Sequence, residues 1–147
     1  MNDGYTKERP RILKLKLLFL GDTYSGKVGN LLLTFTIQKT CLIKCHCEKR
    51  FVTKHSPTIG IDYGINKTKL DGFDLRVNIF DTSGHPIFYE IRREFYKFTT
   101  AVILVFDVTN RSSFLNLSKW MDEFAAETKL SYEISKPIFF LLANKVS

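Results

Sequence analysis

A chain of 147 residues, 44% hydrophobic and 25% charged, has the size and composition of one soluble domain with a single core. Its net charge of +7 sits in short clusters (Lys7, Arg9, Arg11, Lys14, Lys16, then Lys44, Lys49, Arg50, Lys54) without interleaved aromatics, which excludes nucleic acid as the expected partner and leaves a solvated basic surface. An odd set of cysteines (Cys41, Cys45, Cys47), a polar N-terminus and a longest apolar run, Leu31 to Ile37, far below the about 20 residues of a membrane helix exclude a disulfide framework, secretion and a spanning segment. Cys45, His46 and Cys47 lack the second ligand pair of a structural zinc site. The expected location is intracellular, in cytoplasm or nucleus.

Strand-like and helix-like segments alternate along the chain. Ile12–Leu20 is an apolar run closed by Gly21 and predicts a strand. Asp62–Leu70 and Phe73–Phe80 flank Asp71-Gly72, a strong hairpin signal. Pro86–Phe98 predicts a helix with proline in its first turn. Ala101–Phe106 is a continuous apolar run, as expected of a strand buried on both faces. Ser112 or Ser113 is the expected cap of a helix through Trp120 to Ala126, with Phe114, Leu117, Met121 and Phe124 at helical spacing. Ile138–Ala143 is the last strand. This order predicts an α/β domain with a mostly parallel sheet and helices on both faces.

Such sheets bind ligands at the carboxyl ends of their strands. Gly21, Gly26 and Lys27 stand at G-x-x-x-x-G-K spacing after the first strand. The backbone N–H groups of Asp22, Thr23, Tyr24, Ser25, Gly26 and Lys27 can curl around phosphate oxygens, and Lys27 would reach the outer phosphates. A hydroxyl should follow the lysine to meet magnesium, but Val28 stands there and a Lys-Thr pair appears only at Lys39-Thr40. Asp81 at a strand end suits magnesium through water, Gly84 brings a backbone N–H toward a terminal phosphate, and Thr58 could add a hydroxyl. Each alone is a polar turn; the ordered set is the signal.

The segments GDTYSGK, PTIG, DTSGH and NK resemble a Ras-superfamily small GTPase of the Rab-like kind. CEKRFV, TIGIDYG, VNIFD and GHPIFYEIRREFYK narrow the likeness to Rab-like proteins with a C-terminal J domain. The resemblance implies a P-loop NTPase-type three-layer sandwich with one antiparallel hairpin strand. It implies GTP/GDP and Mg2+ as ligands, a slow GTP hydrolysis and a trafficking or signalling switch. It assigns Lys27 to the phosphates, Thr40 (with Cys41 beside it) to the magnesium and nucleotide, Phe51 to the guanine face, and Thr58 to the first switch. Asp81 and Gly84 fall in the second switch, and Asn144 and Lys145 in the guanine motif. Effector and exchange proteins would meet the loops around Thr58 and Gly84–Tyr96.

Four departures stand out. His85 replaces the glutamine that orients the attacking water, so slow hydrolysis is expected. Ser147 stands where an aspartate should grip guanine through two hydrogen bonds. The final strand, helix and any membrane anchor are lacking, which should leave an apolar face uncovered. An insertion at 28–39, or 27–38, separates Lys27 from Thr40. As a helical extension its 12 residues would turn Leu42 and Ile43 away from the core; as a loop its closure costs about 2 kcal/mol. Val28 and Val146 both begin the departing segments, and an in-frame splice donor encodes valine, so translated intron is one reading. The alternative function is a pseudo-GTPase, or a truncated splice product, serving as an interaction module.

Overall fold

A computed structural model of the chain describes residues 11–22, 39–49, 58–128 and 136–145. Five strands form one sheet: β1 (Ile12–Leu20), β2 (Ile61–Leu70), β3 (Phe73–Thr82), β4 (Ala101–Asp107) and β5 (Ile138–Asn144). Their spatial order is β2-β3-β1-β4-β5. β1 runs parallel to both β3 and β4, and β4 parallel to β5; β2 alone is antiparallel to its neighbour. The hairpin turns as its sequence predicts. Asp71 and Gly72 both take left-handed φ (+48° and +79°), the geometry that matches strand twist in a two-residue turn.

The apolar runs split by alternation onto two faces. Leu18, Leu20, Val102 and Leu104 pack with Tyr96, Leu117, Trp120 and Phe124 on one side. Phe19, Ile79 and Val105 pack with Ile43 on the other. Ile43 belongs to α1 (Lys39–Glu48). The remaining helices are α2 (Tyr89–Arg93), preceded by a 3-10 turn at Pro86–Phe88, then α3 (Arg111–Leu115) and α4 (Leu117–Thr128). Burying each large side chain removes it from water for about 1.5–3 kcal/mol, so the first face is the heavier anchor. Ile43 faces the core, so residues 39–48 keep the orientation that a rotated helical extension would have lost. Edge strand β5 leaves Ile138, Phe140 and Leu141 more than half exposed.

Three local expectations need correcting. The helix expected over Pro86–Phe98 is shorter. After Arg93 the backbone bonds tighten to i, i+3 (Phe95 N to Arg92 O, Tyr96 N to Arg93 O), and Phe98 turns left-handed at φ +56°. The next helix is capped by neither Ser112 nor Ser113. Asn110 does it, its carbonyl oxygen accepting from the N–H groups of both serines. The Ser113 hydroxyl turns inward to accept from Asp107 N and donate to Asn110 O. The buried stripe is Leu117, Trp120, Phe124 and Thr128, whereas Phe114 and Met121 are about half exposed.

Candidate functional site

The parallel strands β1, β3, β4 and β5 deliver their carboxyl ends to one edge of the sheet. β1 leaves it at Gly21, where only glycine fits: a Cβ there would lie 2.4 Å from the Val105 carbonyl oxygen, and φ is +153°. The next residue, Asp22, accepts through its carboxylate from Trp120 Nε1 and Asn116 Nδ2, both at 2.8 Å.

α1 opens with the Lys39-Thr40 pair, and both residues are buried. Lys39 Nζ donates to the carbonyls of Gly21 and Thr82, each at 2.8 Å. The helix start is thereby pinned across the ends of β1 and β3. Burial pushes the ammonium pKa down, as does the Arg92 charge; Asp81 and Asp22 pull it up, and the balance is about 8. Among the described residues neither hydrogen-bond partner of Nζ is a carboxylate, and Asp81 and Asp22 act on its charge only through space.

Three oxygens converge beside it. Thr40 Oγ1 donates to Asp81 Oδ2 in a very short bond. Thr58 Oγ1 lies 2.9 Å from Thr40 Oγ1 and donates to Asp81 Oδ2 at 3.2 Å. Burial raises the Asp81 carboxyl pKa, against Lys39 and the two hydroxyl bonds. Its other oxygen, Oδ1, is buried and without a hydrogen-bond partner among the described residues. An orphaned carboxylate oxygen with two hydroxyls is an all-oxygen donor set of the kind hard divalent cations take. The residues present fit magnesium.

The loops flanking these oxygens are tied to each other. Ser83 N donates to Gly60 O at 2.8 Å, joining the exit of β3 to the Thr58–Gly60 segment. His85 is exposed and caps the 3-10 turn, its Nδ1 accepting from Ile87 N at 3.3 Å. A neutral ring that accepts at Nδ1 carries its proton on Nε2. It can then donate to a water through Nε2.

At the far end of the same edge, Lys145 donates to Asp107 Oδ2 at 2.6 Å. Burial pushes the Asp107 carboxyl up, but the bonds from Lys145 and Thr109 outweigh it and hold its pKa at about 2. Asn144 pairs in register with Asp107, which sets the two strand ends side by side.

The structure thus gathers Gly21, Asp22, Thr40, Thr58, Asp81, Gly84 and His85 around one end of the edge, and Asn144 and Lys145 around the other. Cys41 follows Thr40 in α1. Thr23, Tyr24, Ser25, Gly26, Lys27 and Phe51 lie outside the described residues. Lys39 falls inside the insertion if that is 28–39 and outside it if that is 27–38; the spacing to Gly26 assigns the phosphate role to Lys27, and the lysine directly before the Thr40 hydroxyl is the second candidate. Arg92 lies within the quoted segment GHPIFYEIRREFYK and Trp120 in the predicted helix, but neither they nor Glu123 were assigned a role in the site.

Among the described residues no helix is long and apolar enough to cross a membrane. The sequence model of the Ras family matches residues 16–147. The chain is 43% identical to DnaJ homolog subfamily C member 27 of Homo sapiens over 140 residues, 95% of this chain and 47% of that protein. The same values hold for DnaJ homolog subfamily C member 27 of Danio rerio. Member 27-A of Xenopus laevis is 41% identical over 140 residues, again 95% of this chain and 47% of the relative. The chain spans about half the length of the curated relatives it matches.

Proposed function

The chain belongs to the Ras family, and from that premise we propose that it binds GTP and GDP with magnesium at the Lys39 end of the sheet edge, acts as a switch, and hydrolyses GTP slowly. The observation that carries this is the buried Lys39 ammonium, held among the described residues by two carbonyls and no carboxylate, beside the Thr40, Thr58 and Asp81 oxygens. A desolvated cation with no carboxylate hydrogen-bonded to it among the described residues is stabilised by an arriving phosphate.

In this reading Lys39, rather than Lys27, is the phosphate lysine. The insertion is then 27–38, and Lys39-Thr40 restores the lysine–hydroxyl pair that Val28 interrupts. Backbone N–H groups from Asp22 onward cradle the phosphates. Thr40, Thr58 and Asp81 hold magnesium, which when bound neutralises charge on the phosphate oxygens. Gly84 offers its N–H to the terminal phosphate. His85 donates from Nε2 to a water in place of the usual glutamine, which favours slow turnover. Phe51, Asn144 and Lys145 serve the base. The loops around Thr58 and Gly84–Tyr96 present the nucleotide state to effector and exchange proteins, in trafficking or signalling within the cell.

One observation favours a second reading, a pseudo-GTPase that serves as an interaction module: Lys145 is already neutralised by Asp107. Titration of the whole chain with GTP and ATP, with magnesium and with EDTA, separates the two. Magnesium-dependent micromolar binding of GTP over ATP is expected, and a folded chain that binds neither supports the module. Lys39→Ala should weaken GTP binding by about a hundredfold, the loss of a charge-assisted contact, and Lys27→Ala by less than about threefold. The opposite ranking would return the phosphate role to Lys27.

A further inference from the structure

Arg92 is 2% exposed although it lies on the short helix α2. Its Nη1 donates to the carbonyls of Ser83 (2.8 Å) and His85 (3.2 Å), the two residues that bracket Gly84. Nε and Nη2 donate to the two carboxylate oxygens of Glu123 on α4, at 2.9 and 3.0 Å. Nε also reaches the Tyr96 hydroxyl at 2.9 Å, which in turn bonds Glu123. The guanidinium carbon sits 4.8 Å from the centre of the Trp120 ring.

These contacts form one connected body. Ser83, held by Arg92 through its carbonyl, holds Gly60 through its N–H. Trp120, under the guanidinium, holds Asp22 through its indole N–H. Arg92 thus holds the turn at Gly84 directly and is linked through Ser83 to Gly60 and through Trp120 to Asp22 at the entry of the glycine loop. A planar fork with five N–H donors can bridge two carbonyls and a carboxylate at once; a lysine ammonium has three donors on one atom and cannot span them.

We propose that Arg92 is a positioning residue: it fixes the Ser83–Gly84–His85 turn for the terminal phosphate and transmits the state of that turn to Trp120 and α4. The proposal rests on the nucleotide-binding reading above. It predicts that the contribution of Arg92 is specific to the triphosphate, since GDP lacks the group that the turn would meet.

The test uses the full chain, whose only tryptophan is Trp120. Affinities for GDP and a non-hydrolysable GTP analogue are read by competition against a fluorescent nucleotide. Indole emission is read in each complex. The wild type should show different emission with the two nucleotides. Arg92→Lys should lose about tenfold in analogue affinity and about threefold or less in GDP affinity, and its emission difference should vanish. Glu123→Gln, which leaves the guanidinium and its carbonyl bonds, should fall between. Equal losses for both nucleotides, or an unchanged affinity ratio with unchanged emission, would overturn the proposal. If Arg92→Lys melts at room temperature, the same two readouts on Glu123→Gln decide. A wild type that binds both nucleotides with one emission sinks this proposal alone; one that binds neither sinks the underlying reading as well.

Discussion

The two ends of the sheet edge hold lysines of opposite circumstance. Lys39 is buried against backbone carbonyls, its pKa drawn down to about 8, with no carboxylate hydrogen-bonded to it among the described residues. Lys145 is partly exposed and bonded to Asp107, whose pKa is held at about 2. One end keeps a charge without a bonded carboxylate; the other has a direct ion pair. Binding at such an edge should be driven by phosphates and only weakly by the base.

The sharpest way to break this contrast is at Asp81. Asp81→Asn removes the charge around which both hydroxyls gather, and should abolish magnesium stimulation of GTP binding, a loss of about a hundredfold or more, whereas Lys145→Ala should change GTP affinity by less than about tenfold. Titrations with magnesium and with EDTA compare the two ends directly, and equal losses would erase the distinction.

Next comes the pH dependence of the nucleotide-free protein. A lysine with a folded pKa near 8 and an unfolded value of 10.5 binds its proton less well when folded. Stability should therefore rise as pH climbs from about 8 to 10.5, by about 3 kcal/mol at ~1.4 kcal/mol per unit, and Lys39→Met should flatten that rise. Denaturant midpoints across this window test it. Saturating GTP should also flatten the rise, because the phosphates hold the proton on.

Asp107 has the opposite sign. Its folded pKa lies below the ordinary carboxyl value of 3.8, so its contribution is present above pH ~4 and is lost as pH falls toward 2. Asp107→Asn should remove about 1–2 kcal/mol at neutral pH and with it that acid-side component, read from urea midpoints at several acid pH values. The smallest effect expected is at His85. Glutamine there can both donate to and accept from a water, and His85→Gln should speed single-turnover hydrolysis about tenfold, ~1.4 kcal/mol of barrier.

The same contrast separates what the sequence made legible from what it hid. Strands announced themselves through apolar runs and turn residues: Ile12–Leu20 and the Asp71-Gly72 hairpin appear with their expected bounds or within a residue or two. The polar strand ends at Asp81, Asp107 and Asn144 followed from topology. Helix detail was less legible. The cap at Asn110 depends on which of several polar residues the backbone places ahead of the first turn, and the exposure of Phe114 and Met121 depends on how α3 and α4 break at Asn116. The choice between Lys27 and Lys39 stayed open in the sequence, because motif spacing counts residues along the chain, whereas the place of Lys39 beside Thr40 is set by bonds to Gly21 and Thr82 that form only in space. The Arg92 cluster was invisible for the same reason: residues 83, 92 and 123 meet only after folding.

That Lys39 is fastened by the Gly21 and Thr82 carbonyls has a consequence for where this site can be disturbed. Strand end and helix start meet through non-local bonds, independently of the covalent path between them. The place of the lysine is then a property of the two strand ends, so a substitution that shifts Gly21 or Thr82 should dislodge it as surely as one in α1 itself.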